Sequence, residues 1–144
     1  MKNLVLSTTA IGLLLTASCQ NMKEEKNDPK IISQKAIEVH DEIMPEISNF
    51  DRQGIVVDSL LTNFNAVKAD HQGLDTAASR QALTKLKGDL ESATDKMMEW
   101  MKEYNPDSSD VAYQHAEVER ISTLKGEFET VNKSAQKTLA PFKK

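Results

Sequence analysis

Thiols are almost absent from this 144-residue chain, which has one cysteine, Cys19. A single cysteine excludes an intrachain disulfide and a Cys-x-x-Cys-His haem-attachment motif, so stability must come from packing. Glycine and proline are scarce, 5 and 4 residues. No run of alternating apolar and polar residues suggests strands, and this little turn chemistry does not serve a β fold. There is no Glu-x-x-His pair of the ferritin-like di-iron kind, no His-Glu-x-x-His and no glycine-rich phosphate loop. Nothing fixes a serine nucleophile beside a base, so the chain is expected not to be an enzyme. An excess of positive charge is lacking too. Lys and Arg number 18 against 22 Asp and Glu, which argues against a nucleic-acid partner, because phosphate contacts need clustered cations.

What is present begins at the N-terminus. Lys2 precedes an apolar stretch from Leu4 to Leu15, followed by Thr16-Ala17-Ser18 and then Cys19. This is the layout of a signal peptide: a positive start, a short apolar run and small residues at the cleavage zone. The run is too short to span a bilayer, which takes about 20 apolar residues. The cysteine directly after the small residues resembles the lipobox of bacterial lipoproteins, with Thr16 in place of the usual leucine. That resemblance implies cleavage before Cys19 and lipidation of its thiol. Residues 1–18 are read as the signal peptide, and they carry one charge, Lys2. The mature chain then has 17 Lys and Arg against 22 Asp and Glu, a net of −5. A mildly acidic protein is not drawn to an anionic bilayer, so membrane attachment falls to the acyl chains. Residues 19–29 are read as the lipidated cysteine and a polar tether. Lys23-Glu24-Glu25-Lys26 resembles the charged signals that place lipoproteins on the Bacteroidota cell surface. The expected location is the outer membrane, on its periplasmic face or at the cell surface.

Residues 30–144 are read as one helical domain. Ala36, Ile43, Phe50, Val57 and Phe64 recur every seven residues, marking a helix of roughly 40 residues, about 60 Å if straight. Pro45 removes a backbone donor and is expected to kink this helix. Gly54 is a second weak point, with a split near Asn49–Gly54 as the alternative. A turn follows over Asp70–Asp75, with Asp75 as N-cap. Leu83, Leu86, Leu90, Ala93, Met97, Trp100 and Tyr104 form a 3-4-3-4 seam. Asn105-Pro106-Asp107 ends that helix and Ser108 or Ser109 is expected to cap the next. The last stripe is read as Val111, His115, Val118, Ile121, Leu124, Phe128, Val131, Ala135 and Leu139, stopping at Pro141. The expected fold is all-α, an up-down-up antiparallel three-helix bundle.

The soft ligands fall unevenly. Of the five methionines after residue 18, four are Met44, Met97, Met98 and Met101. His40 and Met44 share one helix face, as do Met97 and Met101. Folding the chain about its two turns brings Met44 level with Glu103, Trp100 with Tyr113 and Met98 with His115. Packing is the simpler explanation, since methionine fills irregular gaps and sits well against Trp100. The alternative is a copper site formed by His40, Met44, Met97 and Met101, because thioether and imidazole suit Cu(I). Haem is set aside, as three helices leave little room for a porphyrin. Met98, Trp100, Tyr104 and His115 form a candidate surface for an envelope protein partner, since Trp and Tyr are favoured interface anchors. Asp41, Glu42, Glu46, Glu99 and Glu103 surround the same end.

His40-Asp41-Glu42-Ile43-Met44-Pro45, together with Met97-Met98-Glu99-Trp100-Met101 and Tyr104, resembles a group of small Bacteroidota lipoproteins. That group often carries the automatic name "viral A-type inclusion protein". The resemblance spans both motifs and the lipoprotein start. It implies envelope location and a helical bundle, and it implies no reaction and no cofactor. The expected function is a non-catalytic binding or assembly module tethered by a lipid on Cys19, with copper binding as the alternative.

Overall fold

The computed structural model describes residues 27–71 and 73–143. The expected signal peptide 1–18, the lipidation residue Cys19 and the tether as far as residue 26 lie outside the described residues. Among the described residues every regular element is a helix. None is long and apolar enough to cross a membrane.

Helix α1 spans Pro29–Thr62. The Asp28 carboxylate accepts a hydrogen bond from the Lys30 amide at 2.9 Å, and Pro29 sits in the first turn, where no amide hydrogen is needed. The seven-residue series holds: Ala36, Ile43, Phe50, Val57 and Phe64 are all buried. The helix continues unbroken through Pro45 and Gly54, so the alternative of a split near Asn49–Gly54 does not occur. The break falls at Asn63 instead. Its side-chain amide donates to the Ser59 carbonyl at 3.0 Å, competing with the helix for its own acceptor. Helix α2, Phe64–Asp70, follows.

A Cβ built at Gly54 meets nothing within 4 Å. Gly54→Ala is therefore expected to raise stability by about 0.5–1 kcal/mol, because alanine has less backbone freedom to lose. The check is a higher urea midpoint at unchanged slope.

The turn to the next helix passes through Gly73 at φ 100, a left-handed position that suits glycine. Asp75 caps α3, Thr76–Glu103, by accepting from the Ala78 amide at 3.0 Å. The buried positions of α3 are Leu83, Leu86, Leu90, Ala93, Met97 and Trp100, the seam expected from the spacing. Helix α4, Val111–Leu139, is capped by Asp110 and not by Ser108 or Ser109: its carboxylate accepts from the Ala112 and Tyr113 amides. Ser108 has a different task, accepting from the Asp110 amide. A single 3-10 turn, Ala140–Phe142, carries Pro141.

The first two turns of α4 depart from expectation. His115 is exposed, and Val111 and Val118 are half-buried. Gln114 and Glu117 are buried in their place. The 3-4-3-4 spacing of Ile121, Leu124 and Phe128 runs back to 114 and 117, so geometry assigns those positions to the interior although both residues are polar.

Each of α1, α3 and α4 packs against the other two. Between α1 and α3, Asp58 meets Lys87 and Ser33 meets Tyr104, so numbers rise along one helix as they fall along the other. Between α1 and α4, Glu42 meets Lys125 and Asn49 meets Asn132, so both run the same way. Asn132 also donates to Glu46 at 2.6 Å, and this half-buried polar group adds to the α1–α4 register. The surface ion pairs contribute at most about 1 kcal/mol each. The apolar interior contributes the larger share, with Phe50 stacked on Phe128 at 4.8 Å between ring centroids.

Candidate functional site at the aromatic end

Four rings line up where α1 begins, α3 ends and α4 begins. His40 on α1 stacks on Trp100 of α3, 5.6 Å between centroids. Trp100 stacks on Tyr104 at 4.5 Å, and Tyr104 on Tyr113 of α4 at 6.4 Å. Trp100 faces inward by the α3 seam and is only 2 % exposed.

Tyr104 is the C-cap of α3, and its hydroxyl touches two groups. It lies 2.9 Å from Gln114 Oε1 and 3.0 Å from Ser33 Oγ. Gln114 Oε1 can only accept, so the phenol donates there and accepts from Ser33. The orientation of Gln114 follows from its other end. Its Nε2 donates to the carbonyls of Asn105, Pro106 and Ser108, which leaves the oxygen for Tyr104. One fully buried glutamine thus ties the α3–α4 connection to α4 and to the ring stack. Burial raises the Tyr104 pKa above the ordinary phenol value. The Ser33 hydrogen bond opposes this, and the charges of Tyr113 and Glu117 add to it. The fold therefore favours the neutral phenol. That contribution is complete below the ordinary phenol pKa and is lost as pH rises through the raised one.

Beside the stack lies a hollow of about 290 Å³, lined by Ile37, His40 and Asp41 of α1, by Trp100 and Met101 of α3, and by Tyr104 and Pro106. His40 Nδ1 is 3.0 Å from the Asp41 carboxylate. A carboxylate accepts, so Nδ1 carries a hydrogen, and in the neutral ring the lone pair is then on Nε2. Nε2 is buried and has no hydrogen-bond partner, and the same is true of Trp100 Nε1.

Compared with family models, curated proteins and solved structures, the chain finds no match.

The residues singled out in the sequence divide by location. His40 and Met101 line the same hollow. Met101 is 43 % exposed at its rim, and Met98 one turn away is 54 % exposed. Met97 is fully buried, and Met44 is half-buried against the core. Trp100 and Tyr104 belong to the stack, whereas exposed His115 takes no part in it. Among the described residues no three His, Cys, Asp or Glu side chains form a metal-ligand group.

The expected register also needs correction. Trp100 meets His40, which puts Met44 one turn beyond Trp100 on the side away from Glu103, so Met44 and Glu103 are not level. Between the Lys96–Glu127 and Glu103–Arg120 pairs, Met98 falls near Lys125 and not near His115. The segment between α3 and α4 is a folded loop held by Gln114, not a tight reversal, and this shifts every α3–α4 pairing. Several acidic residues at this end are engaged in joining helices: Glu42 to Lys125, Glu103 to Arg120 and Glu46 to Asn132. Ser33 and Gln114 were not visible as site residues from the sequence, where polar residues next to an apolar stripe read as solvent-facing.

Proposed function

We propose that this chain is an envelope lipoprotein, anchored by a lipid on Cys19 in the outer membrane, whose helical domain is a non-catalytic binding module. Membership of the small Bacteroidota lipoprotein group forms part of this reading, as does an up-down-up antiparallel bundle of α1, α3 and α4 with α1 bent at Pro45. The mutual contacts of the three long helices support the bundle. The observation that carries the binding role is the pair Met98 and Met101, two large apolar side chains exposed on α3 next to a hollow floored by Trp100 and Tyr104. Such residues on a charged surface mark a place where another protein sits.

Two measurements test it. Metabolic labelling with an alkyne fatty acid should mark the wild type and not Cys19→Ser, and the variant should leave the membrane fraction. A photo-crosslinker at Met98 or Met101 should give a discrete adduct in the cell envelope, whereas one at exposed Glu129 should not. Identical patterns at all three positions would refute the surface.

A second reading, Cu(I) binding, has its own support. The lone pair on His40 Nε2 is buried without a partner, and Met101 lines the same hollow. Met44 and Met97 lie one turn further along the same two helices, away from the α1 start. Thioether with neutral imidazole is a donor set for Cu(I), and the Asp41 hydrogen bond would fix the imidazole tautomer for it. Cys19→Ser protein loaded under reducing conditions should retain one equivalent of copper and melt higher. Both effects should vanish in Met44→Leu/Met101→Leu, which keeps the packing volume. Absence of retained copper ends this reading without touching the first.

A further inference from the structure

On the opposite half of α1 lies a slot unrelated to the ring stack. It runs between α1 and α3, with a volume of about 530 Å³. Phe50 and Leu90 lie under its floor, 1 % and 2 % exposed, so its accessible large apolar side chain is Ile55 on the edge. Ile55 is 70 % exposed, the most exposed large apolar side chain among the described residues. Gly54 keeps the slot open. Crowding does not require a glycine there, since a Cβ would meet nothing within 4 Å.

The rim is mainly acidic. Asp51, Asp58, Glu91 and Asp95 border the slot, with Lys87 as the single cation. Lys87 is already engaged, 2.6 Å from Asp58 and 3.8 Å from Glu91, and the Asp58 hydrogen bond holds its pKa above the ordinary value. Among the described residues Asp51 and Asp95 have no ion-pair partner.

We propose that this slot docks a short cationic amphipathic helix of a partner protein, with the partner's aliphatic side chains packed against Ile55 and its lysines or arginines against the carboxylate rim. A helix suits the site because two antiparallel helices form its walls, and a further helix packs into such a groove by the same ridge-and-groove rules. The walls are about two turns long, so the occupant needs aliphatic residues at i and i+3 or i+4 with cations flanking them. Charge complementarity decides the sign of the partner. An acidic or neutral helix would leave Asp51 and Asp95 facing apolar or like-charged groups. The surface is separate from the hollow beside Trp100, so the two stand or fall independently.

The test uses Cys19→Ser protein and a stapled helical peptide of leucine and lysine, with the lysine-to-glutamate peptide as control. Amide shifts should appear along residues 50–58 and 87–95 with the cationic peptide alone. Ile55→Asp should weaken binding at least about tenfold, as loss of a central apolar anchor does. Gly54→Leu fills the slot and should abolish binding while the protein melts no lower than wild type. That outcome separates occlusion from misfolding. Shifts spread over the whole acidic surface, with binding unchanged in Ile55→Asp and Gly54→Leu, would overturn the proposal as mere charge attraction. So would a dimer that Ile55→Asp dissociates, because the occupant would then be a second copy of this chain.

Discussion

Phe128→Ala is expected to lower the unfolding free energy by about 3–5 kcal/mol, the range for removing a buried aromatic ring. Phe128 is 2 % exposed and lies nearly parallel to Phe50, at 11° between planes. The two rings bridge α1 and α4 near the middle of both helices, where neither helix can shift without breaking its heptad contacts. Phe50→Ala should be comparable, because Phe50 is 1 % exposed and touches the same partner. The double variant should lose less than the sum of the singles. The ring pair is counted in each single change, and such pairs couple by about 0.5–1.5 kcal/mol. A domain of this size has about 5–15 kcal/mol in total, so the double variant should be close to unfolded at room temperature. Urea titrations of the four proteins, followed by helical circular dichroism, supply the cycle. A loss below about 1 kcal/mol for either single variant would mean that the stack does not hold these helices together.

Gln114→Leu is the second large effect, expected at about 2–4 kcal/mol. Leucine matches the size of glutamine and suits a position with 0 % exposure, so loss of packing is not the cause. The cause is what remains behind. The carbonyls of Asn105, Pro106 and Ser108 lose the Nε2 that reaches all three, and the Tyr104 hydroxyl loses its acceptor. The α3–α4 loop should loosen first, seen as faster amide exchange at 105–110 before any global change. His115→Ala, one residue away on the exposed side, should stay within about 0.5 kcal/mol of wild type. Equal effects at 114 and 115 would show that the buried network is not what fixes this loop.

The two long apolar stripes were legible because their side chains obey one rule. The seven-residue series from Ala36 to Phe64 and the 3-4 seam from Leu83 to Trp100 are apolar and buried at every step, so spacing alone found them. The start of α4 was not legible, because two polar residues, Gln114 and Glu117, occupy seam positions. Gln114 satisfies loop carbonyls, whereas Glu117 lies 3.8 Å from Arg120 and its buried Oε2 has no hydrogen-bond partner. Counting back by sevens from Ile121 and Leu124 would have reached both, had apolar character not been required. Asn63 was missed for a similar reason. A single side chain competing for one carbonyl ends a helix without disturbing its hydrophobic pattern. At the candidate site, the sequence identified His40, Trp100, Tyr104 and Met101 but not how they meet. Ring stacking depends on inter-helix register, set for His40 and Trp100 by the connection from α1 to α3 and for Tyr104 and Tyr113 by the 104–110 loop.

The same-way course of α1 and α4 has a geographical consequence. The stack of His40, Trp100, Tyr104 and Tyr113 sits at the end where α1 begins, near Ser33, and the chain leaves the domain from that end at Pro29. Ten residues separate Pro29 from Cys19, a span of at most about 35 Å when fully drawn out. If Cys19 carries the proposed acyl anchor, the aromatic hollow lies at the end of the domain nearer the attachment point. The acidic slot stands further along α1, and Phe142, beside Val56 and Leu60, lies about 30 Å along the helix from the hollow. Under that proposal a partner of Met98 and Met101 would meet the anchored end of the domain, and a visitor to the slot would meet it further from the anchor.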